Sequence, residues 1–150
     1  MSEEKARKIK ASGLPRMKMP EQDPSRRASN FEEVPYGITL EMAMDEASRC
    51  LQCPKPRCKT ACPVNINIPQ FIAEISQGNP QAAAEKLKTQ TALPAVCGRV
   101  CPQENQCEGS CVLGIRGEPV AIGALERFAA DYVRQHNLEK TPEKAAPTGK

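Results

Sequence analysis

The sequence predicts an all-α domain whose chemistry sits in loops rather than on the faces of its helices. Three observations lead there. Apolar residues recur at helical spacing in several stretches, while the alternation expected of strands is nearly absent. Between those stretches the chain is broken by proline, which occurs 14 times in 150 residues. All eight cysteines fall in two of these breaks, "CLQCPKPRCKTACP" at 50–63 and "CGRVCPQENQCEGSC" at 97–111. Aromatic residues make up only 3% of the chain and Trp is missing. Small domains with so few large anchors are reinforced by disulfides, metal or a partner.

Residues 1–37 form a polar arm interrupted by Pro15, Pro20, Pro24 and Pro35. No helical or strand period survives those prolines, so the arm reads either as disordered or as an extended segment lying on a partner surface. Order is expected from Thr39, an N-cap for "LEMAMDEASRCL", with Leu40, Ala43, Met44, Ala47 and Leu51 on one stripe. That helix would deliver its C-terminal end to Cys50 and Cys53. The first cysteine loop is too rich in Pro and Lys to read as regular structure. "IPQFIAEISQG" reads as a second helix, with Pro69 in its first turn, Phe71, Ile72 and Ile75 inward, and Gly78 as its stop. "NPQAAAEKLK" gives a third, with Ala83 and Leu87 inward, and a helical turn from Pro94 carries Cys97 and Cys101 one turn apart. The last helix is expected from near Pro119 to about His136, with Ile122, Leu125, Ala129, Tyr132 and Val133 as its stripe. Residues 38–137 thus form the helical domain, and 138–150 a charged, Pro-broken linker.

A formal charge of +3, without interleaved aromatics, gives no basis for a nucleic-acid partner. The start "MSEEKARKIK" has no apolar core of a signal peptide, and no stretch is long enough to span a bilayer. The expected compartment is the cytoplasm, with no membrane partner. Thiols stay reduced there, which disfavours disulfides and favours metal or cluster ligation.

Zinc is the competing use of the thiols. C-x2-C-x4-C-x3-C at 50–62 could close one tetrahedral site, and the second quartet another, giving a redox-silent structural or interaction module. Iron–sulfur ligation accounts better for Pro63 behind Cys62. In bacterial two-cluster ferredoxins three close cysteines hold one cluster, and a fourth, followed by Pro, crosses to the other. Cys50, Cys53 and Cys58 match the first three and Cys62 the crossing ligand, although the x4 gap is longer than in that motif. Lys55, Arg57, Lys59 and Arg99 lie in the two loops, where cations would favour the reduced state of an anionic cluster. On a helical wheel Glu126 falls beside Ile122, Ala129 and Val133, at the edge of a buried stripe, where a carboxylate needs a partner or a metal unless it reaches solvent.

Together "RCLQC…C…CPVNINIPQFI", "LPAVCGRVCPQENQCEGSC" and "GEPVAIGALERFAADYV" resemble the N-terminal iron–sulfur domain of the glutamate synthase small subunit family. The same domain occurs in dihydropyrimidine dehydrogenase and in the flavoprotein subunit of NADH-dependent reduced ferredoxin:NADP oxidoreductase. The resemblance runs from about Phe31 to Val133. It implies an α-helical ferredoxin-like fold with two [4Fe–4S] clusters that relay electrons between a flavin (FAD) and a partner redox subunit. It assigns Cys50, Cys53, Cys58 and Cys111 to one cluster, and Cys62, Cys101, Cys107 and Glu126 to the second. Cys97 is then left without iron. In the family the FAD and NAD(P)H domains follow this one, opening with a strand and a G-x-G-x-x-G turn that these residues lack. The resemblance therefore implies a non-catalytic fragment of an NAD(P)H-dependent oxidoreductase, partnered by the flavin domain of its parent chain.

Overall fold

A computed structural model describes residues 13–140 and 149. Its helices are α1 (Pro24–Arg27), α2 (Leu40–Ser48), α3 (Arg57–Thr60), α4 (Ile68–Ser76), α5 (Pro80–Lys88), α6 (Pro94–Val100) and α7 (Ile122–Gln135), with 3₁₀ turns at Gln103–Asn105 and Val112–Ile115. No strand occurs among the described residues, apart from an isolated antiparallel bridge between Glu21 and Pro35.

Helix α7 is the hub, packing against α6, α5, α2 and α4, while α4 packs on α5 and α2. The core is built from medium-sized residues: Phe71, Ile72 and Ile75 of α4, Leu87 of α5, Ile122 and Leu125 of α7, and Val120 before it. α6 and α7 approach closely because small residues lie at their crossing. A Cβ on Gly98 would sit 2.6 Å from the Arg127 backbone nitrogen, and one on Gly123 would meet the Gln103 side chain at about 2.4 Å. The short separation brings the second cysteine segment onto the helix that carries Glu126.

Four local expectations need correction. Helix α2 stops at Ser48 rather than running through Leu51. Its last turn tightens as Arg49 N–H and Cys50 N–H donate to Glu46 and Ala47 carbonyls three residues back, and Gln52, at φ 47°, turns the chain away. The first cysteine loop is not wholly irregular: it contains α3, entered through Pro56 and bearing Cys58. Helix α7 starts at Ile122, not near Pro119. The Pro119 carbonyl, which a longer helix would bond to the Gly123 N–H, instead accepts from Arg16 and Arg49, and the Gly123 N–H donates to Glu108. α7 is also buried over more than one stripe, with Arg127 enclosed as well as the apolar residues.

The fourth correction concerns the arm. Residues 13–37 lie on the chain's own helical domain rather than trailing from it. Pro24 opens α1, whose N-cap Asp23 accepts from the Ser25 N–H. Gln22 is buried: its N–H donates to the Val34 carbonyl, and its side-chain amide donates to the Glu33 carbonyl at 3.1 Å. The Tyr36 N–H donates to the Pro20 carbonyl, closing the arm into a loop. Prolines removed the periodic signal here without preventing order. Residues 1–12 of the arm, and 141–148 and 150 of the linker, lie outside the described residues.

Candidate metal centre

All eight cysteines are free thiols in the structure. Two groups can be traced from the elements that carry them.

In the first, Cys50 follows the end of α2, Cys53 lies past the turn at Gln52, Cys58 rides on α3, and Cys111 enters the 3₁₀ turn at Val112–Ile115. All four line one pocket, open in part to solvent, with Ile68, Ile72, Val120 and Ile122 as its apolar floor. Burial raises the Cys50 thiol, and the neighbouring Cys111 and Cys53 add to the rise. Burial also pushes Cys58 up to about 11, with Cys50 and Cys111 contributing. Opposing this, the Gln52 and Lys59 N–H groups are directed at the sulfurs of Cys50 and Cys58 and favour their charged forms. Left-handed backbone at Gln52 is unusual for a residue with a side chain, and here it turns the chain between Cys50 and Cys53.

In the second, Cys62 comes from the turn after α3, Cys101 caps the end of α6, and Cys107 lies buried in the loop after the first 3₁₀ turn. Glu126 comes from α7. Burial raises Cys101, and Cys97, Glu126 and Cys62 raise it further, in that order. Burial pushes Cys107 up to about 12, with Glu108, Cys62 and Glu126 adding to the effect. Cys62 and Glu126 therefore each lie within electrostatic reach of both Cys101 and Cys107. Glu126 is 7% exposed, and its Oε1 is the one buried side-chain oxygen or nitrogen without a hydrogen-bond partner among the described residues. Burial alone pushes its carboxyl up to about 7. A buried, orphaned carboxylate oxygen is costly unless a cation or a proton meets it.

Cys97 stands one turn before Cys101 on α6, half-buried, with its sulfur 3.8 Å from Thr91 Oγ1. The basic residues differ in role. Arg99 is not a free cation beside the thiols: it donates to Glu33 at 2.6 Å and to Asp131 at 2.7 Å, pinning the arm to α7. Lys55 and Arg57 are exposed and Lys59 half-buried on the first loop.

Among the described residues, no three His, Cys, Asp or Glu side chains converge closely enough to hold a single ion. Thiolates on one zinc, at a bond length of about 2.3 Å, must approach to about 4 Å of each other. The first quartet instead surrounds a volume. Thiol donors around an apolar pocket, N–H groups on sulfur and an orphaned carboxylate are a donor set that fits iron–sulfur clusters.

Sequence reasoning missed two buried carboxylates, Glu46 and Glu108. A signal existed for the first, because Glu46 follows Ala43 by three and precedes Cys50 by four, on the inward side of α2. For Glu108 there was only its place between Cys107 and Cys111.

Residues 27–138 match the family described as dihydropyrimidine dehydrogenase domain II, 4Fe–4S cluster. Among similar proteins, the NADPH glutamate synthase small chain of Halomonas elongata is 42% identical over 113 residues, covering 75% of this chain and 24% of that protein. The corresponding small chain of Azospirillum brasilense is 37% identical over 117 residues, 76% of this chain and 24% of that one. The NAD-dependent dihydropyrimidine dehydrogenase subunit PreT of Escherichia coli is 38% identical over 109 residues, 73% of this chain and 26% of that subunit. The chain thus spans about a quarter of the length of these relatives. With three quarters of its own length inside one family match, it belongs to the dihydropyrimidine dehydrogenase domain II family of 4Fe–4S cluster domains, the iron–sulfur electron-transfer unit of larger oxidoreductases.

Proposed function

We propose that this chain is an electron-transfer module with two [4Fe–4S] clusters, relaying electrons between FAD and a partner redox subunit in an NAD(P)H oxidoreductase of the glutamate synthase small-subunit type. Cys50, Cys53, Cys58 and Cys111 would hold one cluster, and Cys62, Cys101, Cys107 and Glu126 the other. When bound, such a cluster takes up and releases one electron at a time. The observation that carries the reading is the orphaned Glu126 Oε1 beside three thiols, next to a separate pocket lined by four more.

The residues of the chain do the rest. Cys62 follows Cys58 by four positions, so one short segment serves both sites and keeps them adjacent. Backbone N–H groups of Gln52, Lys59 and Glu108 are placed on the sulfurs of Cys50, Cys58 and Cys107, where they stabilise negative charge. The apolar floor of Ile68, Ile72, Val120 and Ile122 shields the inner side of the first site from water. The raised thiols must lose their protons on loading, so loading is favoured by rising pH. The flavin and nicotinamide chemistry would belong to further domains of the parent enzyme, of which this chain corresponds to about a quarter.

Anaerobic reconstitution tests the reading. Expected are about eight irons and eight sulfides per chain, and two distinguishable paramagnetic signals on reduction, because a carboxylate donates differently from a thiolate. A colourless protein that takes up zinc and no sulfide would overturn it.

A further inference from the structure

Two buried carboxylates hold the start of α7, and both are held in turn by the arm. Glu108 Oε1 accepts the Gly123 N–H at 3.0 Å, and Glu46 Oε1 accepts the Ala121 N–H at 2.8 Å. These N–H groups belong to the first turn of the helix, where no intrahelical partner exists. The second oxygen of each carboxylate is taken by consecutive residues of the arm. Arg16 Nη2 donates to Glu108 Oε2 at 2.6 Å, and the Met17 N–H donates to Glu46 Oε2 at 2.7 Å. Arg16 also donates to the Pro119 carbonyl at 2.9 Å. Arg49, itself on Glu46 at 2.6 Å, donates to the Leu14 carbonyl at 3.1 Å and completes the fastening. The arm's own contributors, Leu14, Arg16 and Met17, lie outside residues 27–138, the part of the chain that matches the family.

Glu108 is the residue after Cys107, and Gly123 lies three residues before Glu126 on α7. The Arg16–Glu108 pair therefore joins the loop bearing one member of the second donor group to the helix bearing another. Its side chains are 26% and 9% exposed, so the charges interact through little solvent. Without the guanidinium, the carboxylate would stand as a full negative charge next to an already anionic site, and addition of an electron there would be disfavoured.

We propose that Arg16 is a positioning residue for the second cluster, locking Glu108 between Cys107 and α7 and cancelling its charge, so that the arm sets the reduction potential of that cluster. The inference rests on the two-cluster reading above. The test is a potentiometric titration followed by electron paramagnetic resonance on the loaded protein, comparing the parent with Arg16→Gln, Arg16→Lys and Glu108→Gln. Arg16→Gln should shift the midpoint of the carboxylate-ligated cluster to more negative values, leaving the all-thiolate cluster where it is. Arg16→Lys should restore most of that shift. Glu108→Gln, which leaves Arg16 unopposed, should move the same midpoint the other way, and it decides the matter if Arg16→Gln does not fold. A purely structural arm would lower iron content or melting temperature and leave both midpoints unmoved, or move the two together; either result overturns the proposal. A parent protein with iron for one cluster only overturns the two-cluster function and this inference with it. Two clusters with unmoved midpoints overturn this inference alone.

Discussion

The two proposed donor groups are built in opposite ways. Three members of the first, Cys50, Cys53 and Cys58, come from nine consecutive residues, and the pocket they line with Cys111 has an apolar floor. The second draws Cys62, Cys101, Cys107 and Glu126 from the turn after α3, the end of α6, a loop and α7, and is accompanied by the buried carboxyl groups Glu126 and Glu108, the latter paired with the part-exposed Arg16. Local chain can place closely spaced thiols by its own turns. A site gathered from four elements depends on how helices cross, so it should be the first to fail when packing is disturbed. It should also be the one whose electrostatics can be altered from a distance.

The largest expected effect separates the two groups by their donors. Glu126→Ala should remove about half of the iron of the reconstituted protein and spare the first signal. Uniform loss from both sites, or none, would break the contrast. Next in size is a pH effect confined to the second group. Burial lifts the Glu126 carboxyl from 4.5 to about 7, so without iron the folded state holds this proton more tightly than the unfolded chain does. That stabilisation is complete below the unfolded value and is lost as pH rises through about 7. It amounts to about 3 kcal/mol, given about 1.4 kcal/mol per pH unit. Urea titrations of iron-free parent and Glu126→Gln across this range should diverge, the parent losing stability relative to the variant as pH rises. Parallel curves would show that the carboxyl reaches water.

A third prediction probes the crossing on which the second group depends. Gly98→Ala places a methyl 2.6 Å from the Arg127 nitrogen and 2.9 Å from its Cα, so the helices must separate. Overpacking of this kind costs about 1–3 kcal/mol. Thermal melting should register that loss, and oxygen exposure should bleach the second signal before the first. The smallest effect belongs to Cys97. Its sulfur neighbours Thr91 Oγ1 and the Cys101 side chain, but Glu126 offers the orphaned oxygen. Cys97→Ser should leave iron per chain unchanged. Loss of the second cluster in that variant, with Glu126→Ala silent, would exchange the two residues' roles.

Sequence pattern and tertiary packing divided the information along physical lines. Helical periodicity located α2, α4, α5 and α7, since 3.6-residue spacing of apolar side chains is a property of the chain itself. Cysteine spacing marked two chemical loops and, with the proline behind Cys62, pointed to clusters that share a segment. The wheel position of Glu126 marked a carboxylate at the edge of a buried stripe, and the structure finds it 7% exposed.

Other features had no local signal, because each arises from partners distant in the chain. Helix α7 begins three residues late because Arg16, Arg49 and Glu108 take the groups that would have extended it. Residues 13–37 of the arm are held because they satisfy buried carboxylates that were themselves invisible as a set: Met17 and Arg16 meet Glu46 and Glu108 across separations of 29 and 92 residues. By itself the sequence determined helices α2, α4, α5 and α7 and the two cysteine loops, because periodicity and spacing are local quantities. Only the tertiary structure decided which donors face one another and which buried charges are neutralised by the arm, since hydrogen bonds between remote segments exist only after the helices have packed.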